Sequence, residues 1–506
     1  MNLAQTNSVA LLGLDGHLVT IEVDIADGLP MYSLLGLPDA ALSESRDRVR
    51  AAIVNCQEVW PNRKVTVSLS PAWLPKSGSG FDLAIAIAIL SAQQSVDAQR
   101  IQSLVILGEL SLDGRIRSVR GVLPALMAAY KAGIKSAVVP SANAAEAGLM
   151  QGMEIIAMAH LKDVIQWLRT GVREIAQEID YSWSQIDERL DFADVAGQPV
   201  ARLAAEIAAT GGHHIMLIGP PGAGKTMIAE RIPTIMPQLS IAQALEVSAV
   251  HSLAGTFATR SATSRIAPLV SPHHTTTRVA MVGGGAHAIK PGACSLAHHG
   301  VLFIDEAPEC PPGVLDSLRQ PLEAGTITIA RSIGNVTFPA QFLLVLAANP
   351  CPCGKFTGRG RACTCSSQQV RRYLSRLSGP LMDRIDLRVN VDPVGRVDMA
   401  RSDLGEASAS IRARVIAARA IAEQRFAGLG YSLNSQIPAR SLRTDFQPER
   451  VAMNFLHDEL DRENITARGL HKIIRTSWTL ADLQGRNLPS MADVLQAHTL
   501  RGGVEA

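Results

Sequence analysis

Residues 215–226 read Ile-Met-Leu-Ile-Gly-Pro-Pro-Gly-Ala-Gly-Lys-Thr, and the next five are Met-Ile-Ala-Glu-Arg. An apolar run enters a glycine-rich turn that opens a helix, the order in which a chain cradles a nucleotide phosphate. Gly219, Pro220, Pro221, Gly222, Ala223 and Gly224 form the turn, whose backbone N–H groups can converge on phosphate oxygens at the positive end of the following helix. Lys225 would reach the β- and γ-phosphates, and Thr226 would place its hydroxyl on Mg²⁺. A nucleoside triphosphate with Mg²⁺ is therefore expected. This one segment requires a buried parallel strand with a helix packed on it, and so an α/β domain.

The other segments that carry chemistry lie downstream. Val301-Leu-Phe-Ile304 ends in Asp305 and Glu306, as a buried parallel strand delivering two acids to a sheet edge would. Asp305 would hold the Mg²⁺ shell and Glu306 would polarise the attacking water. A third apolar run, 342–348, ends in Asn349, which could orient that water. At 506 residues the chain exceeds one core, and three blocks are expected: 1–168, a linker over 169–190, then 191–391 and 392–506. The first block alternates strand-like runs (64–69, 104–107, 136–140) with helical stretches (82–90, 122–132). The last is helical, notably at 408–426 and 466–483. A net charge of +2 excludes a global excess of positive charge, so any nucleic-acid contact must be local. No apolar run reaches membrane-span length, and the first residues carry no basic segment followed by an apolar core. A cytoplasmic location without membrane partners is expected.

Cys351-Pro-Cys353 and Cys363-Thr-Cys365 are two C-x-C pairs separated by nine residues. Four thiolates on two turns can close around a structural Zn²⁺; free thiols or a redox pair are the alternatives. Lys355, Arg359 and Arg361 give this loop positive charge that could meet nucleic acid. The pair His273-His274 is read as hydrogen-bonding or DNA-contacting, and His298-His299 as packing.

With 194–198 (Asp-Val-Ala-Gly-Gln), 271–274 (Ser-Pro-His-His), 281–285 (Met-Val-Gly-Gly-Gly), 349–354 (Asn-Pro-Cys-Pro-Cys-Gly) and 381–386 (Leu-Met-Asp-Arg-Ile-Asp), the chain resembles magnesium-chelatase-like AAA+ ATPases of the ComM/YifB type over nearly its whole length. The resemblance implies an AAA+ parallel-sheet domain with a helical lid after it, and places 194–198 near the adenine. It makes Arg384 an arginine finger, Arg468 the lid's sensor arginine, and the assembly a homo-hexamer. It also puts the 325–339 hairpin, with its turn near Gly334-Asn335, at a central pore, where Arg331 is either a DNA contact or an ordinary surface arginine.

The segments 71–86 and 108–117 resemble a Lon-protease-like (S5-like) α+β domain. The serine position of that domain's Ser-Lys dyad falls on Gly80 and the lysine position on Leu123, with Ser79 and Lys131 displaced. No dyad and no peptidase activity are therefore expected. This block is left to assemble the ring or to guide DNA along a basic edge of Lys76, Arg115, Arg117 and Arg120. Three functions fit: a DNA motor such as a branch-migration helicase of recombination or natural transformation, a metal-chelatase ATPase subunit, or an ATP-gated protein-remodelling chaperone.

Overall fold

Alternation of apolar and polar residues builds the first sheet. In strand Lys64–Ser70 the side chains of Val65, Val67 and Leu69 are buried, and in Asp15–Ala26 so are Val19, Ile21, Val23 and Ile25. The computed structural model describes residues 3–37, 39–76, 78–172, 190–257, 264–285, 289–331, 334–356, 363–395 and 405–502. The seven strands run in the spatial order 31–35, 64–70, 15–26, 3–12, 104–106, 136–140, 154–158, with parallel and antiparallel pairs mixed. Helix Asp82–Ala92 is buried at every position on one face. Its Ala/Ile/Leu sequence is apolar all round, as only an enclosed helix can be. Helix Val122–Lys131 covers the other face with Val9, Val105 and Val139.

The second sheet has five strands, in the order 269–270, 301–304, 343–348, 215–218, 387–390, and all its pairs are parallel. Val301–Ile304 and Leu343–Ala348 are buried at every residue, so they read as continuous apolar runs without alternation. Beyond it lie helices Ser408–Arg425, Ala439–Thr444, Arg450–Asp461, Ala467–Leu483 and Met491–Gly502. In Ala467–Leu483 the Thr466 hydroxyl caps the helix by accepting from Gly469 N at 3.1 Å. Its face of Ile473, Ile474 and Trp478 shares one core with the sheet residues Ile215, Val345 and Leu387. The lid and the sheet are thus one hydrophobic unit.

The first block meets the second through helices Val122–Lys131 and Ile241–Ala254, whose Ala249 joins the core of the first. At the centre of this contact is Glu146, a buried carboxylate. It accepts from Leu123 N at 2.8 Å, from Asn143 Nδ2 at 3.1 Å and from the Ser252 hydroxyl. The hairpin pairs Thr326–Arg331 with Gly334–Pro339, Arg331 opposite Gly334. Gly334 and Asn335 are therefore strand residues and not the turn, and 332–333 lie outside the described residues. Pairing Ile327 with Phe338 and Ile329 with Val336 fixes this register, and a turn at 334–335 would break both pairs. Of the expected linker, 173–189 lies outside the described residues, and the preceding helix, Leu161–Thr170, ends at Thr170.

Candidate functional site

Three parallel strands deliver the phosphate-loop chemistry to one edge of the second sheet. Strand Ile215–Ile218 enters Gly219, where an added Cβ would stand 2.1 Å from Val391 O, so only glycine fits. Gly222 and Gly224 have φ of +77° and +92°, and nothing lies within 4 Å of a Cβ at either. Left-handed backbone of this kind turns N–H groups toward an anion, and helix Lys225–Ile235 starts directly after it. Lys225 is buried, which lowers its pKa. Its ammonium donates to Gly219 O at 2.6 Å, Pro220 O at 2.9 Å and Asn349 Oδ1 at 3.2 Å. Thr226 Oγ1 donates to Asp305 Oδ2 at 2.9 Å. A hydroxyl beside a carboxylate is a hard oxygen pair suited to Mg²⁺, and an ammonium held only by neutral acceptors suits an incoming phosphate. ATP with Mg²⁺ therefore fits the residues present. Asp194 accepts from Arg231 Nη2 at 2.7 Å, which holds its carboxyl below the usual range and ties residues 191–198 to the phosphate-loop helix.

The two arginines lie elsewhere. Asp386 N donates to His214 O at 2.9 Å, so residues 384–386 stand where the parallel strands begin. The phosphate loop stands where they end, about 13 Å away along a four-residue strand. Arg384 donates to Pro380 O at 2.5 Å and pairs with Glu323. Arg468 reaches Asp383 at 3.5 Å, and both arginines line a cleft of about 740 Å³ with Lys472 and Arg475. The structure brings the arginines together and keeps them apart from Lys225, Asp305 and Glu306.

Profiles of the magnesium chelatase subunit ChlI match residues 191–399 and 21–143, and the profile of its C-terminal part matches 405–501. Competence protein ComM of Haemophilus influenzae is 39% identical, covering 98% of this chain and 97% of that one. The chain belongs to the ComM/YifB-type magnesium-chelatase-like family. An uncharacterized protein of Mycobacterium tuberculosis is 46% identical over 99% of both chains, and YifB of Escherichia coli is 37% identical over 99% of this chain and 97% of its own. Lon protease 1 of Myxococcus xanthus shows a weaker likeness, 29% identity over 26% of this chain and 16% of its own length. Members of the ComM/YifB-type family are AAA+ ATPases, and the mixed first sheet, parallel second sheet and helical C-terminal part agree with that fold. None of the described helices is long and apolar enough to cross a membrane.

In this ComM/YifB-type chain the four cysteines converge. Cys351 Sγ lies 3.3 Å from Cys353 Sγ and 3.6 Å from Cys363 Sγ, Cys353 and Cys363 are 3.7 Å apart, and all four sulfurs fall within 4.8 Å of one another. Thiolates 2.3 Å from a tetrahedral Zn²⁺ would be about 3.8 Å apart, so the cluster has the dimensions of such a site. Backbone N–H groups of Lys355 and then Thr364 bring the Cys353 thiol down to about 6, while contacts among the sulfurs push the Cys363 and Cys365 thiols up. Arg359 and Arg361 lie outside the described residues, as does the side chain of Arg331.

Several side chains depart from their expected places. Lys76 belongs to no basic edge. It is 1% exposed, and its ammonium donates to Leu69 O at 2.9 Å and to Pro71 O. A lysine between proline and serine reads as surface, but two carbonyls satisfy it inside. Arg115, Arg117 and Arg120 are exposed. Ser79 donates to Glu109, Leu123 is buried, and Lys131 is exposed at the end of its helix. His298 and His299 do more than pack, because both reach Glu246 Oε2, at 3.3 and 3.0 Å. Gln341 N donates to His298 Nδ1, so the neutral ring carries its proton on Nε2 and donates to Glu246. That nitrogen is not free for a metal, and the trio is a hydrogen-bonded cluster. His274 lies beside the acid pair, with its Nδ1 3.1 Å from Glu306 Oε2.

Proposed function

We propose that the chain is an ATP-driven DNA motor working as a homo-hexamer, a branch-migration helicase of recombination or natural transformation. The full-length likeness to a competence protein carries this reading. ATP with Mg²⁺, when bound, supplies the phosphoryl group. Lys225 and Thr226 hold its charge and metal, Asp305 orients the metal's shell, Asn349 orients water, and Glu306 accepts the water's proton. Arg384 and Arg468 stand at the far end of the strands, so a neighbouring copy supplies them, and the ring follows from that need. The cysteine cluster serves as a structural zinc site. Residues 1–168 act as a Lon-like domain without peptidase activity, joined through 169–190 to the motor (191–391) and lid (392–506).

The test is hydrolysis and branch movement on a four-way DNA junction, with wild type and Glu306→Gln. Wild type should hydrolyse ATP faster with DNA and move the branch, while Glu306→Gln should bind DNA and ATP but lose about 10²–10⁴ in rate. Particle mass should show a hexamer with a non-hydrolysed ATP analogue. A Glu306→Gln protein that binds no DNA with ATP trapped overturns the motor. The name of the matched profiles favours a second reading, a chelatase ATPase subunit. ATP-dependent Mg²⁺ insertion into protoporphyrin without DNA stimulation would select it.

A further inference from the structure

The strand that carries Asn349 also begins the cysteine cluster. Leu343–Ala348 runs into Asn349, and Cys351 follows after a single proline, fully buried. Cys351 O accepts from Gly354 N at 2.9 Å, which closes a tight turn around the first C-x-C pair. The second pair ends at Cys365, and Ser366 caps helix Ser367–Leu374 by accepting from Gln369 N at 3.2 Å. An ion held by all four sulfurs would tie that strand end to that helix start.

The same strand end grips the phosphate loop at three points. Gly219 N donates to Ala348 O at 3.1 Å, and Lys225 Nζ donates to Asn349 Oδ1 at 3.2 Å. The third point is Gly354, which packs on Pro221. Its φ is +73°, and an added Cβ would stand 2.7 Å from Pro221 Cδ and 2.8 Å from Pro221 Cγ. Gly354 is buried and Pro221 exposed, so the turn of the first cysteine pair is the support on which this part of the loop rests. Gly222 and Gly224 have nothing within 4 Å of a Cβ and so lack such a support. Glycine loses more freedom on ordering than any other residue, and a loop ordered before its ligand arrives binds it more tightly.

We infer that Zn²⁺ held by Cys351, Cys353, Cys363 and Cys365 fixes the 351–354 turn against Pro221 and thereby raises the affinity of the phosphate loop for nucleotide. This rests on the phosphate loop being the nucleotide site. On taking up the ion the thiols give their protons to solvent, and no electrons are exchanged. The coupling is reciprocal: whatever factor the ion adds to nucleotide affinity, nucleotide adds to the affinity for the ion. A metal that served only the fold of its own loop would show neither effect.

The experiment uses the full-length chain purified under reducing conditions, where metal analysis should find one zinc ion per chain. Zinc is withdrawn with a zinc-selective chelator at constant Mg²⁺. Binding of a fluorescent, non-hydrolysed ATP analogue is measured before withdrawal, after it, and after Zn²⁺ is returned. Affinity should fall about tenfold and then recover. Cys363→Ser/Cys365→Ser leaves 349–354 untouched, and it should carry no zinc and show the same loss. Chelator competition should show zinc held about tenfold more tightly when the analogue is saturating. Hydrogen exchange should quicken at 219–226 on withdrawal and stay unchanged at 82–92 and 467–483, which separates the effect from general unfolding. Absence of zinc overturns the inference. So does an affinity unchanged within about twofold on withdrawal, a loss that Zn²⁺ does not restore, or equal quickening in all three segments. Failure of the nucleotide reading looks different, since the zinc-loaded chain would then bind no analogue at all, and the coupling would fall with it.

Discussion

The joint between lid and ATPase domain and the joint between first domain and ATPase domain each centre on one buried carboxylate, and they are built oppositely. Asp386 accepts from Lys472 Nζ at 2.7 Å and from His214 N at 2.9 Å, with the His213 ring nitrogen Nδ1 3.9 Å away. Burial opposes its charge, but Lys472 and then His213 hold it well below the ordinary carboxylate range. Glu146 has only neutral donors, and burial raises its pKa. A charged joint is lost expensively when one partner goes, and a neutral joint is separated cheaply. The lid therefore belongs to the ATPase domain as one body, while the first domain is docked on it by a contact that tolerates change.

The largest effect should come from breaking the charged joint. Lys472→Met leaves Asp386 buried without its cation and should destabilise the unit of ATPase domain and lid by about 3–5 kcal/mol in denaturant unfolding. A loss under about 1 kcal/mol would erase the contrast. Acid comes next. Burial pushes His214 down to about 4, and its Nδ1 accepts from Leu344 N at 3.1 Å. Between that value and about 6.5 the unfolded chain binds more protons, so stability falls as pH drops through the window, by about 3 kcal/mol from this group. Glu146 has the opposite sign: its contribution is present at low pH and lost as pH rises through its elevated folded value. Segment-resolved hydrogen exchange between pH 6.5 and 4.5 should show residues 211–218 and 467–483 loosening while 122–131 and 241–254 tighten. Parallel loosening of both joints would contradict their different construction. The smallest effect is Ser252→Ala, which removes one neutral donor and should cost about 1 kcal/mol, read as faster exchange in helix 122–131.

Legibility followed distance along the chain. The phosphate loop and its flanking strand and helix are contiguous, and the acid pair marks the end of one apolar run. Periodicity and turn chemistry therefore sufficed to place strands 215–218 and 301–304. His274 and Glu306 meet because strands 269–270 and 301–304 are parallel neighbours, and nothing local in either segment announces the other. The burial of Lys76 was hidden for a related reason, since its carbonyl partners at 69 and 71 become visible only once the turn is closed. The hairpin turn was misplaced by the attraction of Gly-Asn, while the apolar pairs Ile327–Phe338 and Ile329–Val336 decided the register. Separation of the arginines from the phosphate loop depends on strand direction alone, which composition does not encode.

That separation has a consequence for heredity. In the ring proposed above, a chain with its loop at one end of the strands and its arginines at the other would hold halves of two different sites, and a faulty copy in a mixed ring would harm both neighbours' chemistry. A cell with one intact and one damaged gene would make rings that are mostly impaired, so the damaged allele would dominate although half of the subunits are sound.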